Sequence, residues 1–248
     1  NKSAEQGNAN AQYALGWMYE NGEGVVKDFA MAFKWYKRAA ERDNPAAQTN
    51  LGWMYENGKG VVKDDAQSVF WYRQAAEQGQ AEGQLNLGIM YKKGKGVDED
   101  YDEAVFWLEK AAAQGHVNAQ LNLGVIYKNG EGVAPDYEKS VYWLDKAVSQ
   151  GHSAAMTNLG WMYENGKGVV QNYKKAFTLY SKAADKGQAE GQLNLGIMYN
   201  KGKGIKRNYK WAVFWYKQAA DKGNAEAQLN LGIMFKYGRG VEENYTQA

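Results

Sequence analysis

The sequence contains no cysteine, only two prolines and only two histidines among its 248 residues. Without cysteine the chain cannot form disulfides, zinc–thiolate sites or thiol nucleophiles. Its 30 basic residues nearly balance 28 acidic ones, and a net charge of +2 argues against nucleic acid or an anionic membrane surface as the main partner. No apolar run approaches the roughly 20 residues that a membrane-spanning helix needs, so we expect no membrane insertion.

Groups that carry catalysis are also scarce. The histidines, His116 and His152, have no periodic carboxylate near them in the sequence, so we interpret them as solvent-exposed turn residues rather than a metal pair. The Gly-Lys-Gly strings lack the spacing of a phosphate-binding loop. Acidic residues fall mostly at expected helix starts or on helix surfaces. We therefore predict no enzyme activity, no catalytic residue, no cofactor and no metal.

The sequence does contain a repeat. The pair Leu-Gly returns every 36 residues without insertion or deletion, and its glycine marks the centre of each unit. The string TNLGWMYENGKGVV at 49–62 returns unchanged at 157–170, which indicates that a block of three repeats was copied. Repetition at this period predicts one continuous array over 1–248. The central glycines are Gly16, Gly52, Gly88, Gly124, Gly160, Gly196 and Gly232.

Each unit shows the pattern of two helices. In residues 81–94, apolar side chains spaced by three or four predict a first helix that ends at a glycine. Residues 101–114 predict a second helix, and Asp64 and Asp100 are expected to form capping boxes with the residues three positions later. A hairpin of this size has too little core to be stable alone, so the units must stack. Helix N-caps are expected at Asp28, Asp64, Asp100, Asp136, Asn172, Asn208 and Asn244.

A glycine in the middle of each first helix needs a reason, because it costs about 1 kcal/mol relative to alanine. Seven copies of that cost imply that another helix approaches closely at this point. We predict that the alanines recurring from Ala39 onward in the second helices are the counterpart of the glycine series from Gly16 onward.

The repeated unit A-E-x-Q-x-N-L-G-x-M-Y-x-x-G-x-G-V-x-x-D-Y-x-x-A-x-x-W-Y-x-K-A-A-x-Q-G resembles the Sel1-like repeat, a relative of the tetratricopeptide repeat, over the entire chain. The resemblance implies an all-α fold, a right-handed α-solenoid, in a bacterial protein. It also implies that the first helices line a concave groove that binds other proteins. Departures are few: Asp43 replaces the glycine between repeats, Ala14 the usual asparagine and Leu179 the usual tryptophan.

The ends of the chain fall inside repeats. Residues 3–7 align with the end of a second helix, and 245–248 with the start of one. We therefore expect a fragment of a longer protein, or a protein that loses one end in processing. Self-association through the uncapped ends is a further expectation.

Two rows of first-helix positions vary on the face that lines the groove in tetratricopeptide repeats. Apolar residues of changing size along a groove suit anchors for a protein or peptide, although both rows could instead be partly buried between neighbouring first helices. The row directly after the glycines is Trp17, Trp53, Ile89, Val125, Trp161, Ile197 and Ile233. The row three residues before them is Tyr13, Thr49, Leu85, Leu121, Thr157, Leu193 and Leu229.

A third row lies two residues before each glycine and is made of asparagines. These amides could hydrogen-bond an extended peptide backbone, or they could tie neighbouring repeats together, and we favour the structural role. The row is Asn50, Asn86, Asn122, Asn158, Asn194 and Asn230.

Charge offers one more pattern. The segment 98–103 (DEDYDE) is acidic, while 206–211 (KRNYKW), 108 residues later, is basic. These segments could orient a partner or promote end-to-end self-association. Solvated helix starts are the simpler interpretation.

We therefore predict a non-enzymatic scaffold or adaptor that binds a protein or peptide partner in the concave groove, with no nucleic acid as partner. The alternative is an immunity protein that neutralises a secreted bacterial toxin or effector, such as a phospholipase, by direct binding. The sequence favours neither the cytoplasm nor the periplasm.

Overall fold

The computed structural model describes residues 2–242, 244 and 246, and within them all regular structure is α-helical. This confirms the predicted all-α repeat fold, and the helices predicted in 81–94 and 101–114 are present. From α2 onward, even-numbered helices are the first helices of the repeats and odd-numbered ones the second. The helices are α1 (Lys2–Glu5), α2 (Ala9–Asn21), α3 (Phe29–Ala40), α4 (Pro45–Asn57), α5 (Asp65–Glu77), α6 (Ala81–Lys93), α7 (Tyr101–Ala113), α8 (Val117–Asn129), α9 (Tyr137–Ser149), α10 (Ser153–Asn165), α11 (Tyr173–Asp185), α12 (Ala189–Lys201), α13 (Tyr209–Ala220) and α14 (Ala225–Lys236).

The chain divides into two compact units, Asn1–Gln120 and Leu121–Ala248, with the boundary inside α8. In unit 1, each helix from α1 to α7 packs against the next, and the first helices α4 and α6 also touch. In unit 2, consecutive helices from α9 to α14 pack in the same way, and α10 touches α12. The single array over 1–248 stays a prediction.

The second helices begin at the N-caps that the sequence predicts. Asp28 Oδ1, for example, accepts a hydrogen bond from the backbone N–H of Ala30 at 2.9 Å. Asn244 accepts from the N–H of Thr246 at 3.0 Å, and the rest of the helix start predicted at 245–248 lies outside the described residues. The other confirmed caps are Asp64, Asp100, Asp136, Asn172 and Asn208.

The predicted capping boxes are only half formed. Asp100 accepts from the N–H of Glu103 at 3.0 Å, but its own N–H donates to the carbonyl of Tyr91 at 3.1 Å. The Glu103 carboxylate instead accepts from Trp107 Nε1 at 3.0 Å. At Asp64, too, the backbone N–H donates to a carbonyl of the preceding first helix. The bond expected to stay within the cap therefore ties the second helix to the first.

The central glycines do allow close helix approach, although the prediction that the alanine series is their counterpart is wrong. A Cβ placed on Gly16 would lie 2.5 Å from a ring carbon of Tyr36, and one on Gly124 would lie 2.6 Å from Leu144 Cγ. The counterpart is thus the tyrosine or leucine three residues before each alanine of the series that starts at Ala39. The alanines are buried against other neighbours because they lie one helical turn further along.

A glutamine near the start of most first helices holds that helix to the preceding second helix. Gln84 Nε2, which is buried, donates to the carbonyl of Ala76 at 3.1 Å. The bond satisfies a buried amide donor, so this contact fixes successive repeats together. The same bond is made by Gln12, Gln48, Gln120, Gln192 and Gln228, while Met156 takes this position in the fifth repeat.

Buried tyrosines of the second helices pair with acidic residues of the first helices. Tyr72 is fully buried, and its hydroxyl donates to Glu56 Oε2 at 2.9 Å. Where leucine replaces the tyrosine, as at Leu144, lysine replaces the glutamate, as at Lys128. A buried hydroxyl needs an acceptor and a leucine does not, and in the sixth repeat Asn200 takes the place of the glutamate beside Tyr216. Equivalent bonds join Tyr36 to Glu20 and Tyr180 to Glu164.

These tyrosines should make the fold sensitive to alkaline pH. Burial, reinforced by the nearby glutamates, raises the pKa of Tyr36, Tyr72 and Tyr180 above the ordinary 10.0, and burial raises the pKa of Tyr216 to about 12. Above pH 10 the unfolded chain loses protons that the folded chain keeps, so the free energy of unfolding falls as pH rises. Thermal melts at about pH 8 and pH 11 should show this fall.

A tyrosine-to-phenylalanine pair tests that cause. The double variant Tyr72→Phe/Tyr180→Phe removes two of the four groups. Its melting temperature should fall less between the two pH values than that of the wild-type chain. An equal fall in the variant and the wild-type chain would show that the alkaline sensitivity comes from other groups, such as the lysines.

Candidate functional site

Tryptophans directly after three of the central glycines are exposed apolar groups of the first helices. Trp17, Trp53 and Trp161 are 40%, 36% and 37% exposed, although the glycine before each of them is buried. An indole exposed to this extent leaves apolar surface for a partner. Of the rest of the row, Ile233 is exposed and Ile89, Val125 and Ile197 are half-buried. We call Trp17, Trp53 and Ile89 the first-helix face of unit 1, and Val125, Trp161, Ile197 and Ile233 that of unit 2.

The row three residues before the glycines lies mostly inside the units. Thr157 shows what this row does, since its hydroxyl donates to Gln188 Oε1 at 2.9 Å and so contacts the N-cap of α12. Burial between helices was the alternative that the sequence left open, and it leaves this row little surface for a partner. Thr49, Leu85, Thr157 and Leu193 are buried, Tyr13 and Leu121 are half-buried, and Leu229 is exposed.

In unit 2, a lysine from the neighbouring first helix lies over the exposed indole of Trp161. Lys128 Nζ is 5.3 Å from the ring centroid of Trp161 and donates to Asn158 Oδ1 at 2.6 Å. Burial lowers the pKa of Lys128, while Glu131 and Glu190 act in the opposite direction. Both described contacts of the ammonium are with neutral groups, so an anion beside the indole would be its complement.

The asparagine row is used within the protein where its contacts are described. Asn158 accepts from Lys128, and its Nδ2 donates to the carbonyl of Ala154 at 2.9 Å. The oxygen and the nitrogen of this amide are therefore both hydrogen-bonded within the protein, as expected for a structural rather than a ligand-binding asparagine. A peptide-binding ladder of the whole row stays a prediction. The other members, Asn50, Asn86, Asn122, Asn194 and Asn230, are half-buried.

The two copies of the block differ in charge at the position that Lys128 holds in unit 2. Trp53 and Trp161 lie in identical strings, yet the position held by Lys128 in unit 2 is held by Glu20 in unit 1, 108 residues earlier. Glu20 accepts from the hydroxyl of Tyr36 at 2.6 Å. Lys128 therefore lies over an exposed indole, whereas the described contact of Glu20 is with a buried tyrosine.

The histidines differ from the exposed turn residues that the sequence predicts. His152 is the half-buried N-cap of α10, where Nδ1 accepts from the N–H of Ala155 at 3.4 Å, and burial lowers its pKa. His116, also half-buried, has Nε2 2.8 Å from Glu82 Oε2. In the described part of the chain, no group of three or more side chains could hold a metal ion. No helix of that part is long and apolar enough to cross a membrane.

The segments of opposite charge lie at the starts of second helices. Residues 98–100 and 206–208 are exposed, directly before α7 and α13. Trp211, within the basic segment, is 48% exposed and stacks on Tyr199 with ring centroids 6.2 Å apart. A role of either segment in orienting a partner or in self-association stays a prediction.

Tandem helical hairpins with a buried repeated scaffold and a variable exposed row define a class of protein, the α-helical repeat scaffolds. Within that class, the chain belongs to the Sel1 repeat family. The Sel1 repeat model matches seven consecutive segments: 9–44, 45–80, 81–116, 117–152, 153–188, 189–224 and 225–248. Sel1 repeats are modules for protein–protein interaction, and their solenoid fold is typically a non-catalytic scaffold.

Solved structures show the same architecture. A protective antigen present in uropathogenic Escherichia coli strains is 41% identical with a TM-score of 0.90, and the alignment covers 99% of this chain and 53% of the antigen. The chain thus spans about half the length of that relative. A Sel1 repeat protein from Oxalobacter formigenes is 34% identical with a TM-score of 0.86, covering 94% of this chain and 92% of that protein.

An immunity protein from Pseudomonas aeruginosa is more distant, at 24% identity and a TM-score of 0.51, covering 86% of this chain and 81% of that protein. This likeness concerns the fold alone. A comparison with the curated proteins finds no match.

Proposed function

We propose that the chain is a non-enzymatic adaptor that binds a protein or peptide segment on its first-helix faces, with the tryptophans as anchors. The observation that carries this proposal is the exposure of Trp17, Trp53 and Trp161. Each follows a buried glycine, and other repeats have isoleucine or valine at the same position, so the fold does not require an indole there.

The unit 2 face adds a preference for charge. Because Lys128 lies over the Trp161 ring, a segment with an apolar side chain next to an acidic one would complement both groups. In unit 1, the equivalent Glu20 accepts a hydrogen bond from Tyr36. The preference for an acidic side chain therefore applies to the unit 2 face.

Two double variants with different exposed aromatics test the proposal. The chain is used to capture partners from the source cell, the captured protein is identified by mass spectrometry, and its Kd is measured by calorimetry. Trp53→Ala/Trp161→Ala should weaken binding by roughly 30-fold for each tryptophan that the partner buries, since an interface tryptophan typically contributes about 2 kcal/mol.

The matched control is Phe106→Ala/Tyr142→Ala. These side chains are 49% and 54% exposed but lie on second helices, so their removal should leave the Kd within about threefold. If the control loses binding while the tryptophan variant keeps it, the partner binds the second helices and the proposal is wrong.

An immunity function is a narrower form of the same proposal, in which the bound partner is a toxin or effector. Its support is the fold shared with the immunity protein from Pseudomonas aeruginosa. Identification of a toxin as the captured protein, with its activity inhibited by the wild-type chain and not by Trp53→Ala/Trp161→Ala, would distinguish it from a general adaptor.

A further inference from the structure

A cavity of about 390 Å³ lies in unit 2, where the second helices α9 and α11 meet the first helix α10. Its apolar wall is formed by Val148, Leu159, Tyr163 and Leu179. Leu179 replaces the tryptophan that the other repeats have at this position. The volume falls in the range of pockets that hold small organic molecules, about 300–1,000 Å³.

In unit 1, the same place is filled by an indole of the chain. Trp35 packs in a cluster with Ala4, Leu15 and Tyr19. These three residues are the repeat equivalents of Val148, Leu159 and Tyr163, and Trp35 is the equivalent of Leu179. Each lies 144 positions earlier in the chain. Trp35 is 8% exposed, so the indole closes this space almost completely.

Another repeat of unit 1 shows the same arrangement. Trp107 is also 8% exposed and belongs to one cluster with Ala76, Leu87 and Tyr91, which are the equivalents of Val148, Leu159 and Tyr163. The surroundings thus accept an indole in repeats where the chain supplies one. In the fifth repeat the shorter Leu179 leaves that space open.

The edge of the cavity carries a net positive charge. Lys174 and Lys175 line it together with one acid, Asp145. Lys175 Nζ lies over the Tyr163 ring, 4.9 Å from its centroid. Where the indole of Trp107 fills the site, the acceptor of its N–H is Glu103, and Lys175 holds the equivalent position.

In the preceding repeat, the lysine equivalent to Lys175 has an acidic partner that Lys175 lacks. There Lys139 occupies the position of Lys175, and its Nζ lies 3.9 Å from Asp136 Oδ2. In the fifth repeat the equivalent of Asp136 is the neutral Asn172. The cavity therefore joins an apolar slot beside Leu179 to an ammonium group that lacks the acid present one repeat earlier.

We propose that this cavity binds a small aromatic carboxylate, with the ring in the place of the missing indole and the carboxylate toward Lys174 and Lys175. The site is formed by different side chains from the first-helix face and does not depend on the partner binding proposed above.

Titration of the whole chain with indole-3-acetate tests this site. Amide shifts in a ¹⁵N-labelled sample should change saturably at Val148, Leu159, Tyr163 and Leu179, with a Kd of about 1 mM or tighter for a ligand of this size. Tryptamine has the same ring and a positive charge, and it should bind at least tenfold more weakly. Saturation without these four amides, no saturation, or equal binding of the two probes would overturn the proposal.

Filling the cavity supplies the decisive variant. Leu179→Trp restores the indole of the other repeats, so it should abolish the saturable shifts and raise the melting temperature by a few degrees. Leu179→Phe is the second variant if the larger ring disturbs folding, as judged by circular dichroism. Undiminished binding of indole-3-acetate by a folded filled variant would show that the ligand lies elsewhere.

Discussion

Replacing Gly60 with alanine is expected to destabilise the protein by about 3 kcal/mol or more, several times the cost of the same change at Gly79. Gly60 is the second glycine of a connector and has φ of 68°. A Cβ there would lie 2.1 Å from the carbonyl oxygen of Phe29, at the start of the second helix of the preceding repeat. Backbone cannot move aside as a flexible side chain can, so the contact between repeats must open.

Gly79 is the matched control because it shares the left-handed backbone without the contact. Its φ is 85°, yet nothing lies within 4 Å of a Cβ placed on it. Gly79→Ala should therefore cost only the conformational penalty, about 1 kcal/mol. Urea unfolding followed by circular dichroism measures both variants. Equal losses would mean that the connector does not hold neighbouring repeats together.

Trp107→Ala is expected to cost about 3–5 kcal/mol of unfolding free energy, whereas Trp161→Ala should cost about 1 kcal/mol. The substitution is the same, and only the surroundings differ. Trp107 is 8% exposed, packs in the core cluster with Leu87 and Tyr91, and donates to Glu103. Trp161 is 37% exposed on a first helix.

The contrast separates scaffold from binding surface in one experiment. Trp161→Ala should reduce partner binding while leaving the urea midpoint nearly unchanged, and Trp107→Ala should lower the midpoint strongly. A loss of 3 kcal/mol or more in Trp161→Ala would show that this indole belongs to the core, which would contradict the proposed first-helix face.

Much of the fold follows from sequence periodicity. The 36-residue step, the apolar spacing in 81–94 and the Asp or Asn before each second helix are local signals, and local signals determine where helices begin and end. The buried glutamines, from Gln12 onward, recur with the same step and could have been identified from it. Their function as links to the preceding helix is visible only once the helices are packed.

The candidate site was less predictable because periodicity places a residue on a helix without showing what lies against it. Trp161 and Leu193 belong to rows with the same spacing, yet Trp161 is exposed and Leu193 is buried. Likewise, the departure at Leu179 was evident in the sequence, whereas the cavity it leaves depends on Val148 and Leu159, which approach from two other helices.

The sequence by itself therefore determined the repeat, its two helices, their caps and the family, since each depends on contacts within one hairpin or on spacing along the chain. Only the tertiary structure decided that Gly16 meets Tyr36 rather than Ala39, that Glu103 binds Trp107, and that Lys128 lies over Trp161. The physical reason is that burial and contact depend on side chains from several helices at once, which no single period in the sequence specifies.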